Sequence, residues 1–401
     1  MLKRKSKNNL MVINHLKQLV LSLYISGDRL EDQFWEREIQ VSIRALLDKN
    51  QQTTLDEVVD TIHSDTPGAT GMLIDLIETF SQSIEINQKN SDPLQAMLIA
   101  APILVWSNYK IPNGLIQDKL LKQIETDLLK SVIAPDNTVV ICPYLCAVEQ
   151  LPQSHTDVFQ LTKKMIVHTN KTSYFNADSI NVENNSSSID VRYLIGLVTA
   201  PKHAPLFRWQ TTDSDGQFID KQTCLSNWQN AFKQSINQLL IGCEFQCLLP
   251  DAYYSVCREA DERLRPHLIK NAVSFLSDAM NLLPKDMRAV IGGFGDENIN
   301  EFRISLTKRN NNEQVFHGII WPIYGIEKIN GKSGGNFEQD SIDQINSLLH
   351  DAGIKDIRHI YGCFKYEYCE ECDEPFYLNG LGGLRHVEQL EPIEDKRLQF
   401  H

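Results

Sequence analysis

The stretch MVINHLKQLVLSLYISGDRLEDQFWEREIQVSIRALL, Met11–Leu47, decides the class of the N-terminal part of the chain. Apolar residues recur at helical spacing from Met11 to Ile25, and the pattern stops at Gly27. Asp28 and Glu31 then stand as a capping-box-like pair: a carboxylate ahead of a helix accepts from its first free N–H groups, and a Glu three residues on reaches back. The helix opened in this way spans Leu30 to Leu47, with Leu30, Phe34, Ile39, Ile43 and Leu47 expected on or near one apolar stripe. So short a link implies an antiparallel helix pair.

Downstream the same start signals repeat. Thr54 with Glu57 opens a third helix to about His63, and a fourth runs from about Pro67 to Ile84. Asp92 with Pro93 at the first position opens a fifth, and a sixth covers Leu115 to Val132. No repeat of fixed length is present, which leaves room for a solenoid only in degenerate form.

From Pro135 the texture changes. Thr138–Cys142 and Asp190–Thr199 are β-branched runs, bounded by Pro and by the polar loop Asn184–Ser188. Glu244–Leu249 reads as a further strand, Asp251 caps a helix toward Leu264, and Pro266 opens another to about Leu283. Three strand-like runs follow, Arg288–Ile291, Glu301–Thr307 and Gln314–Ile323, joined at Gly292–Gly295 and Asn310–Asn312, which favours antiparallel hairpins. Ser341–Leu349 is one more helix and Asp356–Ile360 a last strand. The expected class is α+β: an all-helical module over 1–134, an α+β body with a largely antiparallel sheet over 135–362, and a zinc-knuckle-like hairpin in an acidic tail over 363–401.

Composition narrows the function classes. The 401 residues are 42% hydrophobic and 23% charged, which is globular and not disordered. A net charge of -13 argues against a broad nucleic-acid or anionic-membrane surface. The longest nearly apolar run, Leu94–Trp106, is too short to cross a bilayer. A basic Lys3–Lys7 tail leads into the first helix without a cleavage site, and nine cysteines without an export signal fit a reducing cytoplasm.

The tail carries the pattern with metal-ligand chemistry. Cys369 and Cys372 form a CxxC pair, His386 follows after a Gly380–Gly383 turn, and Cys363 lies just upstream. Two thiolates on a tight knuckle and an imidazole from a returning strand supply three of the four tetrahedral positions of a structural zinc, with Cys363 the nearest fourth donor. His359, Glu388, His401 or water are the alternatives, and a metal-free cysteine hairpin or a redox dithiol would need no fourth donor. From Tyr366 to His401 nine acids stand against three bases, a poor match for phosphates and a better one for a protein or basic partner.

A second concentration of reactive side chains runs from Asp251 to Arg265. Asp251, Tyr254, Arg258 and Asp261 share a helical stripe, and Cys257 would need a base such as His267 or His317 to act as a nucleophile. The competing reading is a capping Asp, aromatic core anchors and solvated ion pairs. His317 shares its strand face with Val315, Ile319 and Trp321, as a core imidazole would. The pairs Cys142/Cys146 and Cys243/Cys247 read as core packing. Gly331-Lys332-Ser333 lacks the spacing of a phosphate-binding loop.

Several strings together are familiar: SGDRLEDQFWE at Ser26–Glu36, PLFRW at Pro205–Trp209, LLPDAYYSVCREADERLRP at Leu248–Pro266, VFHGIIWPIYG at Val315–Gly325 and the CEEC at Cys369–Cys372. Over Ser26 to His386 the chain resembles a bacterial family, domain of unknown function 2863. The resemblance implies a cytoplasmic bacterial protein with a CxxC-plus-His tail and carries no activity. It departs at Asp373, where the family-like knuckle has Gly, and in the loop Lys328–Asn336. The function expected is a non-enzymatic interaction or regulatory protein with a structural zinc site and a protein partner. The alternative is a hydrolase or transferase with a polar pocket from Asp251–Arg265 and the candidates Asp251, Tyr254, Cys257, Arg258 and His317.

Overall fold

The computed structural model describes residues 2–87, 92–107, 109–167, 189–295, 299–323, 337–372 and 374–388. The loop Asn184–Ser188, the segment with Gly331-Lys332-Ser333, Asp373 and His401 lie outside them. The chain divides into two compact units, Met1–Asp261 and Glu262–His401.

The first unit opens with helices α1 (Leu2–Ile25), α2 (Arg29–Asp48), α3 (Gln52–Asp65) and α4 (Pro67–Gln82). The cap expected at Asp28 is present, its carboxylate accepting from the N–H groups of Leu30 and Glu31 at 2.8 and 3.0 Å. Leu16, Val20, Ile39, Ile43, Leu55, Val58, Leu73 and Ile77 form the helical core. Leu30 and Phe34 do not join it. They are exposed together with Val41, because at about 100° per residue they fall on the side of α2 opposite Ile39, Ile43 and Leu46.

A mixed segment follows: strands β1 (Ser83–Ile86), β2 (Leu94–Trp106) and β3 (Gly114–Leu115), helix α5 (Asp118–Ser131), strand β4 (Thr138–Cys146), helix α6 (His155–Val167) and strand β5 (Ile189–Pro201). Helix α7 (Lys221–Leu239) and strands β6 (Glu244–Cys247) and β7 (Asp251–Ala252) complete the sheet region. The sheet order is β1-β2-β5-β4-β3, with β6 and β7 also pairing β2.

The fifth helix expected from Asp92-Pro93 is therefore a strand. β2 pairs β5 antiparallel in unbroken register from Leu94↔Pro201 to Trp106↔Ile189. Its residues from Leu98 to Val105 are buried on both faces, and such a strand loses the alternation that marks half-buried ones. Pro102, which lacks an N–H, sits where β2 is partnered by neither β6 (Ile103–Trp106) nor β7 (Ile99 and Ala100). The boundary expected at residue 134 falls inside this sheet, which draws strands from both sides of it. Helices α5 and α7 cover one face, where Ile124, Leu128, Trp228, Phe232 and Ile236 meet Ile103, Val105, Ile141 and Val198.

Helix α8 (Tyr253–Met280) contains Pro266 within one continuous helix, where a break was expected, and the division between the units falls along it. In the second unit, β8 (Met287–Phe294), β9 (Glu301–Lys308) and β10 (His317–Pro322) pair antiparallel as the hairpin pattern implies. After α9 (Phe337–Asp351), β11 (Asp356–Phe364) joins β8 in parallel, giving the order β10-β9-β8-β11. Gly292 and Gly293 lie within β8 and not in a turn.

Alternation splits this sheet cleanly. Ala289, Ile291, Phe302, Ile304 and Leu306 face α8 and α9, packing on Ile269, Val273, Leu276, Ile345 and Leu349. Val290 and Phe294 face the other way, onto Leu378 of a small hairpin, β12 (Tyr377–Leu378) with β13 (Leu384–Arg385). The hairpin thus belongs to the second unit, and β11 runs across the division expected at 362/363.

Candidate metal centre

The knuckle is shaped by backbone geometry before any side chain is considered. Cys369 N–H donates to the Glu374 carbonyl at 2.8 Å and Phe376 N–H to that of Glu367 at 2.9 Å, folding the CxxC into the tip of a tight hairpin. The chain then turns at Asn379, whose side-chain oxygen accepts from the N–H groups of Leu381 and Gly383 at 3.0 and 2.8 Å. Gly382 takes φ +84°, open to glycine at little cost. β13 returns the chain to His386, and Val387 bridges Val315.

The result brings Cys372, Glu374 and His386 together, one ligand atom from each lying within 4.8 Å of the others. Cys372 and His386 are exposed and Glu374 is half-buried. Zinc bonds of about 2.0–2.3 Å put tetrahedral ligands roughly 3.3–3.8 Å apart, so these donors need only a small contraction to close on an ion. The Cys369 thiol is held below its ordinary range by the N–H groups of Glu371 and Cys372 and by the Cys372 side chain. Cys363 sits instead on β11, its sulfur 3.5 Å from the Gly295 carbonyl. His359 contacts Asn346 at 3.2 Å. Glu374 is a donor that the CxxC-plus-His spacing does not point to; its signal in the sequence is a carboxylate two residues past the second cysteine, indistinguishable there from the rest of the acidic tail.

The Asp251–Arg265 segment is divided. In the first unit, Arg258 donates to Glu78 of α4 at 2.6 Å, with both side chains largely buried. Burial raises the Glu78 carboxyl above its usual range, against the favourable pull of Arg258, and also raises nearby Asp75. Tyr254 lies 5.6 Å from the ring of His155, ring centre to ring centre, and its N–H meets Gln82 at 3.2 Å. Burial drives its hydroxyl far upward, pushes the Cys257 thiol to about 12 and lowers His155 to about 4. A thiol so displaced stays protonated and is a poor nucleophile. Asp251 pairs with Lys221 at 2.7 Å in β7.

His317 and His267, the bases considered for Cys257, belong to the second unit. His317 opens β10 beside the Phe275 ring at 6.0 Å, and burial lowers its pKa. Cys142, Cys146 and Cys247 are buried, and burial raises all three thiols. A groove of about 420 Å³ in the second unit is lined by Lys270, Val273, Ser274, Ser277, Asp278, Pro284 and Ala352, none of them a candidate above.

Among the described residues no helix is long and apolar enough to cross a membrane. No curated protein and no solved structure matches the chain. A family model described as protein of unknown function (DUF2863) matches residues 2–400, essentially the whole sequence, including the CxxC hairpin and the Arg258 helix alike, and the chain belongs to that family.

Proposed function

We propose that this is a cytoplasmic bacterial protein of non-enzymatic character, acting by interaction or regulation, with a structural zinc on its C-terminal hairpin. The observation that carries the metal reading is the convergence of Cys372, Glu374 and His386. A thiolate, an imidazole and a carboxylate form a donor set suited to zinc, and Cys369 on the same turn supplies a second thiolate. Glu374 takes the place first given to Cys363. The non-enzymatic reading draws support from the way Arg258, Tyr254 and Cys257 are consumed by packing and by the Glu78 ion pair. The protein-partner reading is supported by Leu30, Phe34 and Val41, apolar side chains turned outward on α2.

Elemental analysis of untagged protein, purified without chelator, tests the metal directly. One zinc per chain is expected in the wild type and none in a Cys372→Ser, His386→Ala double variant. A lowered Tm in that variant, reproduced by chelating the wild type, marks the ion as structural. Wild-type protein free of metal, and unable to take up added zinc, would refute the reading.

A further inference from the structure

The zinc knuckle has too little backbone pairing to hold itself in place: its two arms meet at the single bridge Tyr368–Pro375, and the β12–β13 hairpin that follows has strands of two residues each. What holds it is visible on the sheet below. Arg303 of β9 is 1% exposed, a charge almost completely removed from water. Its guanidinium lies 4.4 Å from the ring centre of Phe294, 5.5 Å from Tyr366, 5.7 Å from Tyr368 and 5.9 Å from Tyr377. It donates to Glu301 at 2.6 Å and to the backbone carbonyl of Phe376, also at 2.6 Å. Three of the four rings and that carbonyl belong to the two arms of the hairpin that flank Cys369 and Cys372.

The neighbouring sheet positions are cut to fit the same hairpin. A Cβ on Gly292 would collide with Leu378, and one on Gly318 with the Tyr377 ring. Ser305, two residues from Arg303 on the same face, donates to the Leu378 carbonyl at 2.5 Å. We infer that Arg303 is the positioning residue of the metal centre: enclosed by aromatic rings and bonded to Phe376, it sets the two arms of the knuckle in place before any ion binds. The charge is offset by Glu301, and the ring faces give the cation–π contacts that a desolvated guanidinium favours. The ion then meets donors already gathered and spends little of its binding free energy on ordering the loop.

This rests on the proposed metal site for one of its two readouts, so the other is metal-free. Amide hydrogen exchange is followed in chelator-treated full-length protein, wild type against Arg303→Met and Arg303→Lys. In the wild type the Cys369 and Phe376 amides are expected to exchange slowly. In Arg303→Met they should approach the open-chain rate while the β8 and β9 amides stay protected, and Arg303→Lys should restore part of the protection. Zinc affinity, measured by competition with a chromogenic chelator, should fall about 10- to 100-fold in Arg303→Met.

Knuckle amides that exchange freely in zinc-free wild type, or stay protected in folded Arg303→Met, would overturn the inference. If Arg303→Met fails to fold, Tyr368→Ala, which removes one partly exposed wall of the enclosure, is the substitute, and unchanged protection there overturns it equally. Wild-type protein that binds no zinc yet shows Arg303-dependent protection would remove the zinc reading and leave the positioning role standing.

Discussion

The β2–β5 ladder and the C-terminal hairpin solve opposite problems. The ladder is thirteen residues long, buried on both faces over its middle, and backed by stacked Trp228 and Phe232 at 4.3 Å. Its own backbone bonds and apolar burial suffice. The hairpin has two-residue strands and a donor set that is largely in water, so side chains of the sheet beneath must do what length does elsewhere. Stability in the first region is spread over many apolar contacts, whereas in the second it is concentrated in Arg303, Ser305 and Asn379. Damage should therefore be global in one and local in the other.

The largest effect is expected from Phe232→Ala, which opens a void in the covered face of the first sheet. A loss of about 3–5 kcal/mol in denaturant unfolding is expected, with zinc content unchanged in whatever fraction remains folded. A loss below 1 kcal/mol would break the contrast.

Next comes a pH effect confined to the first unit. His155 is held neutral, at about 4, by burial. The unfolded chain takes up that proton first as pH falls from about 6.5, so the contribution is full above that value and is lost progressively toward 4. The whole loss reaches up to about 3 kcal/mol. Subtracting the profile of His155→Gln from the wild type isolates it from the opposing carboxyls Glu78 and Asp75, whose raised folded-state pKa values favour stability at lower pH. Superimposable profiles would sink the assignment.

The smallest effect belongs to the hairpin. Asn379→Ala removes an acceptor for two turn amides and a donor to the Glu313 carbonyl at 3.1 Å. About 1–2 kcal/mol is expected, read as faster exchange at Leu381 and Gly383 with the β2 and β5 amides unaffected. Exchange that rises in both regions would make the two a single cooperative structure.

What was legible in the sequence follows from the same contrast. Helices α1 to α5, the antiparallel β8-β9-β10 meander and the CxxC-His hairpin are legible, because each has a local signature: a cap, an alternation, a ligand spacing; helices α6 and α7 of the same unit are not among the expected elements. β2 was not legible, since LQAMLIAAPILVW is apolar at every period, and Asp92-Pro93 before it imitates a helix start. Leu30 and Phe34, expected on or near one stripe with Ile39 and Ile43, lie on the opposite side of α2 once the angle of about 100° per residue is followed along the helix. Arg303 carried no signal at all. An arginine in a strand reads as a solvated side chain until the rings that enclose it, more than sixty residues on in three cases out of four, are brought over it.

The long ladder also has a consequence in time. β2 is complete once residue 106 has been made, yet β5, which pairs it along its full length, ends at residue 201. At about 5–20 residues per second, synthesis leaves that apolar strand without its main partner for some 5–20 s. Over that interval β2 has only β1, along Leu94–Met97, as a strand partner, and its β5 edge stays open, the kind of transiently unpaired apolar edge that invites aggregation during folding.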